Sequence, residues 1–193
     1  MAVLSSYIIN NDSMVIFPEY DEFGNLYSKL IEEKGNIFIV KKKPVSLIDS
    51  SIRHYGSSLK GGVEGARHTL GNINVPPFLV CSRRGLIWFS TVSHKREDCI
   101  FISFRHIVDI LQSKRNPDEC IVIFKHGHSA VLNEPHEVIT RKYDLANRLH
   151  RFIGQREGIR YFYSMESSRS GYQFIKERNE RNYKTRPRRG KAE

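Results

Sequence analysis

Seven short apolar runs, none longer than six residues, constrain most strongly what this chain can fold into. They are rich in Ile, Val, Phe and Trp, and each is bounded by Gly, Pro, Asn or charged residues. The runs are Met14–Phe17, Ile37–Val40, Phe78–Cys81, Leu86–Phe89, Cys99–Phe104, Cys120–Phe124 and Ala130–Leu132. Runs of this kind predict β-strands. The segments RRG at 83–85 and HGH at 126–128 predict hairpin turns between neighbouring runs, and 107–111 fits either a strand or a helix.

One segment has the periodicity of an amphipathic helix. It starts near Glu134-Pro135, where proline suits the first turn, and runs to about Ile153, with Gly154 as its predicted C-terminal end. One stripe of this helix contains Val138, Leu145, Leu149 and Phe152. The sequence therefore predicts an α+β fold, a mostly antiparallel β body with one C-terminal amphipathic helix and a basic tail.

We divide the chain into an N-terminal extension over residues 1–11, a main domain over 12–160 and a basic C-terminal extension over 161–193. The aromatic content falls after about residue 164. We therefore expect the extension to be frayed or partly helical and to lie outside the main core. Its aromatic start, Tyr161–Tyr163, could dock the tail or a second subunit.

Cationic side chains are concentrated away from the N-terminal part of the chain. The formal net charge is +10 over 193 residues. Residues 1–40 carry two basic and six acidic side chains, residues 41–160 carry twenty and eleven, and residues 161–193 carry nine and four. This asymmetry is typical of proteins that bind polyanions, although a solvated basic surface gives the same net charge.

The sequence predicts a cytoplasmic protein. Its longest apolar stretches are too short to span a bilayer, and the N-terminus lacks the basic and apolar regions of an export signal. The three cysteines, Cys81, Cys99 and Cys120, lie far apart in or beside apolar runs. Such an odd set is typical of reduced, buried thiols.

The patterns of catalytic and metal sites are missing from the sequence. There is no GxxxxGK[ST] or GxGxxG phosphate loop, no CxxC pair and no GxSxG elbow. His126 and His128 lie two residues apart without a third nearby ligand, so we interpret them as turn residues. The other histidines considered as general bases lie near cations rather than carboxylates, namely His54, His68, His94 and His106. We expect no enzymatic activity, no metal and no cofactor.

The segment from 48 to 70 combines basic side chains with glycines at 56, 61, 62 and 65. We interpret it as a short helical turn capped by Asp49, followed by a flexible glycine loop. A glycine loop lets the backbone approach a phosphate-lined surface closely, and arginine can enter a narrow A-tract minor groove. The basic residues recur at strand ends and turns through the middle of the chain, so the interpretation as a DNA-binding surface depends on their cluster.

Five short motifs follow one another between residues 43 and 93. They are Lys43-Pro44, Ile48-Asp49 with Ser51, Tyr55-Gly56-Ser57-Ser58, Pro76-Pro77, and Phe89-Ser90-Thr91 with Ser93. In order and spacing they resemble the ComK family, the competence transcription factors of Gram-positive bacteria. The resemblance covers roughly residues 12–153, about three quarters of the chain. Each motif is only a few residues long, so the resemblance depends on their order and spacing.

The resemblance implies a sequence-specific DNA-binding activator of genes for DNA uptake, with residues 12–160 as the DNA-binding domain. Members of the family bind paired A/T-rich boxes from the minor groove, as dimers that pair on the DNA, and they bend the site. The implied partners are double-stranded DNA, a second copy or a dimer of dimers, RNA polymerase and a Clp protease adaptor. The implied location is the cytoplasm, in association with the nucleoid.

Carried onto this sequence, the resemblance selects two sets of DNA-contact candidates on chemical grounds. The glycine loop supplies the first set, Arg53, Lys60 and Arg67, and the strand turns supply the second, Arg83, Arg84, Lys95 and Arg96. Two features depart from the family, namely Glu64 within the glycine loop and the divergent C-terminal segment. Reversing the charges of Arg53 and Arg67 is expected to abolish DNA binding and to leave the protein folded.

Two other functions fit the composition. One is RNA or single-strand binding on a β-barrel, which needs exposed aromatic side chains on one sheet face. The other is an interaction module whose basic face binds an acidic protein.

Overall fold

The computed structural model describes residues 2–158, 171–176 and 181–187, and these form two β-sheets and three α-helices. The strands of the first sheet are β1 (Ala2–Leu4), β2 (Ser13–Tyr20), β3 (Leu26–Glu32), β4 (Ile37–Val40), β5 (Phe78–Cys81), β6 (Leu86–Ser90) and β7 (Phe101–Ser103). Those of the second sheet are β8 (Ile107–Gln112), β9 (Cys120–Phe124), β10 (Ser129–Leu132), β11 (Tyr172–Ile175) and β12 (Lys184–Pro187). The helices are α1 (Pro44–His54), α2 (Leu59–Leu70) and α3 (His136–Glu157).

Both sheets are mainly antiparallel. The first has the order β1-β4-β3-β2-β7-β6-β5 and the second the order β12-β11-β10-β9-β8. Only the pairs β1–β4 and β10–β11 are parallel among the described strands. The fold is α+β with a mostly β body, as predicted, and its last helix is the amphipathic one near the C-terminus.

The first sheet is buried on both faces, which explains why its strands read as continuous apolar runs. Along β6, Ile87 and Phe89 pack into a core shared with the second sheet and α3, whereas Leu86 and Trp88 pack under α1 and α2. Alternate side chains of a strand point to opposite faces, so one strand contributes to two cores. The layer of α1 and α2 therefore lies on the opposite side of the first sheet from the second sheet.

Both predicted hairpin turns are confirmed. The RRG segment joins the antiparallel strands β5 and β6, with Gly85 at a φ of 62°. The HGH segment joins β9 and β10, with Gly127 at 74° and His126 at 54°. The ambiguous segment 107–111 is a strand because it pairs with β9.

Strand β3 was not predicted, because Ser28 and Lys29 interrupt its apolar pattern. Both side chains are buried and bonded. The Ser28 hydroxyl donates to the carbonyl of Lys42 at 2.7 Å, and the Lys29 ammonium donates to the carbonyl of Tyr183 at 2.7 Å. A buried polar group that finds a partner can occupy a strand between two layers.

The predicted glycine loop is wrong, because residues 59–70 form α2. Leu59, Val63 and Ala66 recur at helical spacing and are buried against the first sheet. Tertiary packing of an amphipathic face stabilises a helix more than intrinsic propensity does. That packing outweighs the unfavourable propensity of three glycines.

The predicted end of the last helix is also wrong. Helix α3 continues through Gly154 to Glu157, and Gly158 ends it with a left-handed φ of 64°. The N–H of Gly158 bonds to the carbonyl of Gly154, as in a helix C-cap. The buried stripe is rotated as well. It contains Ile139, Ala146 and Leu149, while Val138 and Phe152 are partly exposed.

The described parts of the C-terminal extension are packed onto the body as β11 and β12, so the expectation that the extension lies outside the core is wrong for them. Phe174 and Tyr183 are buried in the core between the sheets. The side-chain amide of Asn182 bonds to both the N–H and the carbonyl of Tyr20, at 2.8 and 2.9 Å. The proposed boundary at 160/161 and the aromatic segment 161–163 lie outside the described residues, and the division of the chain stays a prediction.

Candidate nucleic-acid interface

A groove of about 770 Å³ lies between α1, α2 and the loop that joins β6 to β7 (residues 91–100). Its lining includes the apolar side chains of Val45, Leu59 and Val63. The charged and polar side chains that line it are Ser46, Asp49, Ser50, Arg53, Lys60, Glu64, Arg67, His94 and Lys95. We call this feature the basic groove, because four of its side chains are permanent cations and two are carboxylates.

The sequence around the groove explains how α1 and α2 meet. Pro44 is the first residue of α1. A backbone N–H at that position has no partner within the helix, so the missing N–H of proline costs no hydrogen bond. Tyr55, Gly56, Ser57 and Ser58 connect the helices, and Gly56 takes a positive φ of 87°. The hydroxyl of Ser58 then accepts the N–H of Gly61 at 3.1 Å as the N-cap of α2.

Asp49 caps α2 rather than its own helix, which corrects the predicted role. It lies inside α1, where its carboxylate accepts the N–H of Leu59 at 2.9 Å and the Nε–H of Arg53 at 2.7 Å. The hydrogen bond from Arg53, followed by that from the Leu59 backbone, lowers the pKa of Asp49 below its ordinary value. Asp49 therefore fixes the angle at which α2 leaves α1.

Four of the seven predicted contact residues meet in the basic groove: Arg53, Lys60, Arg67 and Lys95. Arg53 and Lys60 each pair with a carboxylate, and the Lys60 side chain is the more exposed of the two. Its ammonium lies 4.0 Å from the carboxylate of Glu64, one helical turn later. Exposed pairs of this kind are weak, so Lys60 can exchange Glu64 for another anion at little cost. The role of these residues in binding stays a prediction.

Arg67 differs from the other groove cations because it supports the local fold. Its Nε–H donates to the carbonyl of Ile73 at 3.0 Å, and its guanidinium donates to that of Asn74 at 3.1 Å. These bonds hold the segment that leads from α2 to β5. The double reversal of Arg53 and Arg67 is therefore not a clean test of binding, because a glutamate at 67 would lose both bonds.

The other three predicted residues are outside the groove lining. Arg83 and Arg84 are exposed in the β5–β6 turn, where the Arg84 guanidinium lies 5.7 Å from the centre of the Tyr55 ring. Arg96 binds the carboxylate of Asp98 through two bonds of 2.9 and 2.6 Å. A bidentate pair offsets the charge of Arg96 within the loop.

His94 is a groove residue that sequence reasoning did not select as a contact. Burial, together with the nearby charges of Lys95 and Arg67, lowers the pKa of His94. Its ring is therefore uncharged at neutral pH. The sequence analysis also did not predict the apolar lining of the groove. The spacing of Leu59 and Val63 could have indicated it, because residues four apart lie on one face of a helix.

The histidine pair in the β9–β10 turn has a structural role at His128. One ring nitrogen bonds the carbonyl of Glu33 at 3.0 Å, and the other accepts the N–H of Tyr172 at 3.0 Å. Within the described ranges, no group of three His, Cys, Asp or Glu side chains could hold a metal ion. No described helix is long and apolar enough to cross a membrane.

The three cysteines are free thiols, and Cys99 and Cys120 are buried. Burial raises the pKa of both of these thiols to about 12. They therefore stay protonated at neutral pH and act as small apolar side chains.

Fold and site together define a β-rich α+β protein with a groove lined by four cations between two helices and a loop. The family model described as ComK protein matches residues 4–158, and this chain belongs to that family. The competence transcription factor of Bacillus subtilis (strain 168) is 27% identical over 182 residues, covering 90% of this chain and 93% of that protein. No solved structure matches the chain significantly.

The resemblance to ComK deduced from the motifs is therefore confirmed. ComK proteins are a family of transcription factors, so this protein is not an enzyme.

Proposed function

We propose that this protein activates transcription of the genes for DNA uptake and that it binds A/T-rich duplex DNA through the basic groove. The observation that carries the proposal is the convergence of Arg53, Lys60, Arg67 and Lys95 from two helices and a loop around one groove. The proposal is also supported by the ComK family, to which the chain belongs, and by the name of the Bacillus subtilis relative, a competence transcription factor.

Electrostatics favours DNA phosphates at the rim of the groove. Lys60 and Arg53 are 87% and 68% exposed, so both can extend toward successive phosphates. Each cation that neutralises a phosphate releases condensed counterions, and this release drives binding at moderate salt. Arg53 would exchange its exposed bond with Asp49 for a phosphate or for the edge of a narrow minor groove.

The glycines of α2 lie away from the basic groove. Gly61 and Gly65 line a cleft between α2, β5 and α3, whereas Lys60, Glu64 and Arg67 of the same helix line the groove. The proposed contact with DNA therefore depends on the cations of α2 and not on its glycines.

The finer features of the proposal follow the family. The protein reads paired A/T-rich boxes from the minor groove, bends them, and acts as a dimer or a dimer of dimers. It engages RNA polymerase at the promoter and is delivered to a Clp protease by an adaptor. Its place is the cytoplasm, in association with the nucleoid.

Burial of the aromatic side chains disfavours the RNA or single-strand alternative. Phe17, Trp88, Phe89 and Phe101 lie in the first sheet and are at most 1% exposed. Both faces of that sheet are covered, so these rings cannot stack on bases.

The proposal is tested by the double variant Lys60→Glu with Lys95→Glu in anisotropy titrations against a duplex with phased A-tracts. We expect a large loss of affinity and a salt-dependence slope reduced by about one for each phosphate that is no longer neutralised. The matched control is Lys114→Glu with Arg115→Glu, which makes the same charge change on the exposed β8–β9 loop, away from the groove. A G/C-rich duplex and a single strand of equal length complete the series.

Two results would contradict the proposal. One is an equal loss of affinity in the groove variant and in the control, which would mean that binding depends on net charge and not on the groove. The other is preference for the single strand over the A-tract duplex.

A further inference from the structure

The cleft between α2, β5 and α3 has a volume of about 310 Å³, and we call it the α2–α3 cleft. β5 is the last strand of the first sheet, and α2 packs against both this strand and α3. The described residues that line the α2–α3 cleft and those that line the basic groove are different. Pockets of about 300–1,000 Å³ are typical of small-molecule sites, so the cleft is large enough for a ligand of its own.

The walls of the α2–α3 cleft are aliphatic. They are formed by Ala66, Leu79, Val80, Leu149 and Ile153. Ala66 and Leu149 are 2% exposed and belong to the core between the sheets, and Leu79 and Ile153 pack against that core. The cleft is therefore an opening toward the apolar interior, and a ligand that enters it removes apolar surface from water.

The α2–α3 cleft stays open because two glycines of α2 line it. A Cβ atom added at Gly65 would have no heavy atom within 4 Å, and one at Gly61 would meet only the hydroxyls of Ser57 and Ser58. Packing therefore does not require glycine at either position, although glycine disfavours a helix. A larger side chain at Gly65 would extend into the cleft and fill it.

One end of the α2–α3 cleft is cationic. The Arg156 guanidinium donates to the Thr69 hydroxyl at 3.1 Å, and that hydroxyl donates to the carbonyl of Gly65 at 3.0 Å. These bonds hold the guanidinium beside the last turn of α2. Among the described residues that line the cleft, Arg156 is the only Asp, Glu, Lys or Arg. A guanidinium has several N–H donors, so Arg156 can still bind a carboxylate through two parallel hydrogen bonds.

The shape of the α2–α3 cleft indicates the class of ligand. At a rise of about 1.5 Å per residue, its lining from Gly61 to Thr69 extends about 12 Å along the helix axis. Long aliphatic walls that end at one cation fit a linear apolar chain with a terminal carboxylate. We propose that the α2–α3 cleft binds a medium-chain fatty carboxylate, with the carboxylate on Arg156 and the chain against Leu79 and Leu149. This site does not depend on the proposed function.

Equilibrium dialysis of the full chain against radiolabelled decanoate, below the concentration at which decanoate forms micelles, tests the proposal. We expect decanoate to saturate a single site. Butyrate, which lacks the long apolar chain, and decanol, which lacks the charge, should bind more weakly. Absence of decanoate binding overturns the site, and equal affinity for decanol and decanoate overturns the assignment of an anionic ligand.

Removing the cation tests the position of the carboxylate. Arg156→Gln should raise the dissociation constant of decanoate by at least about tenfold, as the loss of a hydrogen-bonded charge does, and leave that of decanol unchanged. The matched control is Arg151→Gln, because Arg151 is exposed on the same helix and outside the cleft lining. Equal losses in the two variants would mean that decanoate responds only to net charge, and this result overturns the proposal.

Filling the α2–α3 cleft tests where the chain of the ligand lies. Gly65→Leu should abolish decanoate binding while its circular dichroism spectrum stays native. The control His68→Leu adds the same side chain at an exposed position of α2 outside the cleft lining, and it should bind decanoate like the native chain. Native affinity in a folded Gly65→Leu variant overturns the proposal.

Cys81 provides a measurement that needs no variant. Its thiol is partly exposed and lines the α2–α3 cleft, whereas Cys99 and Cys120 are buried. Decanoate should slow the alkylation of Cys81 by iodoacetamide in proportion to the fraction of chains that bind it, as mass spectrometry of the labelled residue can measure. Butyrate at the same concentration is the control. An unchanged rate with decanoate bound would place the ligand elsewhere and overturn the proposal.

Discussion

Single residues around the groove have different roles although they look equivalent in the sequence. Arg53, Lys60 and Arg67 are all basic residues of the segment from 48 to 70, and its pattern gives no reason to separate them. In the structure, Arg67 binds two backbone carbonyls, whereas the Lys60 ammonium lies 4.0 Å from the carboxylate of Glu64. The partners of a side chain depend on which backbone groups come near it, and that is decided by the fold.

Asp49→Ala is predicted to destabilise the protein by about 1 kcal/mol, as the loss of a helix cap does. The carboxylate holds the first N–H of α2 and the Arg53 side chain, and both would lose it. Urea unfolding should show the change at pH 7. The control Glu64→Ala removes only an exposed 4.0 Å pair and should change the free energy of unfolding little.

The effect of Asp49 should also depend on pH in a defined direction. Its pKa is lowered in the folded protein, so its contribution is fully present above the ordinary Asp pKa and is lost as the pH falls through the lowered value. The stability difference between Asp49→Ala and the native chain should therefore shrink in acid. A difference that grows below about pH 4 would contradict the capping role.

At the scale of elements, α2 shows why a glycine-rich segment can be a helix. Its apolar residues bury one face, its N-cap is Ser58, and Gly62 lets it approach β5 closely. A Cβ atom at Gly62 would lie 3.2 Å from the carbonyl oxygen of Leu79. Local composition favoured a loop here, because the neighbouring sheet that stabilises the helix is distant in the sequence.

Two substitutions in α2 should have opposite effects on stability. Gly65→Ala is predicted to stabilise the protein by about 0.4–1 kcal/mol, because alanine favours the helix and the site is open. Gly62→Ala should destabilise it, since the added methyl presses on backbone that cannot move freely. Thermal or urea unfolding of the two variants decides the matter. Equal effects of both would mean that α2 does not pack closely on β5.

At the scale of the whole molecule, one core joins the two sheets and the C-terminal strands. Phe174 of β11 is fully buried, and its ring centre lies 5.6 Å from that of Phe17 in β2. Tyr183 packs on Phe17 as well, at 4.4 Å. Side chains from the two ends of the chain thus share one core.

Phe174→Ala is predicted to destabilise the entire protein by about 3–5 kcal/mol, the usual range for a buried Phe. The fluorescence of Trp88, the one tryptophan of the chain, reports on the opposite side of the first sheet. The unfolding midpoint measured by Trp88 fluorescence should shift by the same amount as the midpoint measured by far-ultraviolet circular dichroism. Leu111→Ala, at an exposed position of β8, is the control. An unshifted Trp88 transition in Phe174→Ala would mean that the C-terminal strands are not part of the same cooperative unit.

Local sequence patterns were enough to predict the β-rich class, the main strands, both hairpin turns, the last helix and the family. These follow from local period, from turn chemistry and from the order of motifs, and none of them needs a distant contact. Only the folded chain revealed that α2 is a helix, that β3 and the C-terminal strands belong to the sheets, and that four of seven predicted cations share one groove. Each of these depends on burial or hydrogen bonding against residues far away in the sequence. A local sequence pattern does not contain that information, because these contacts contribute free energy only after the sheets and helices have packed together.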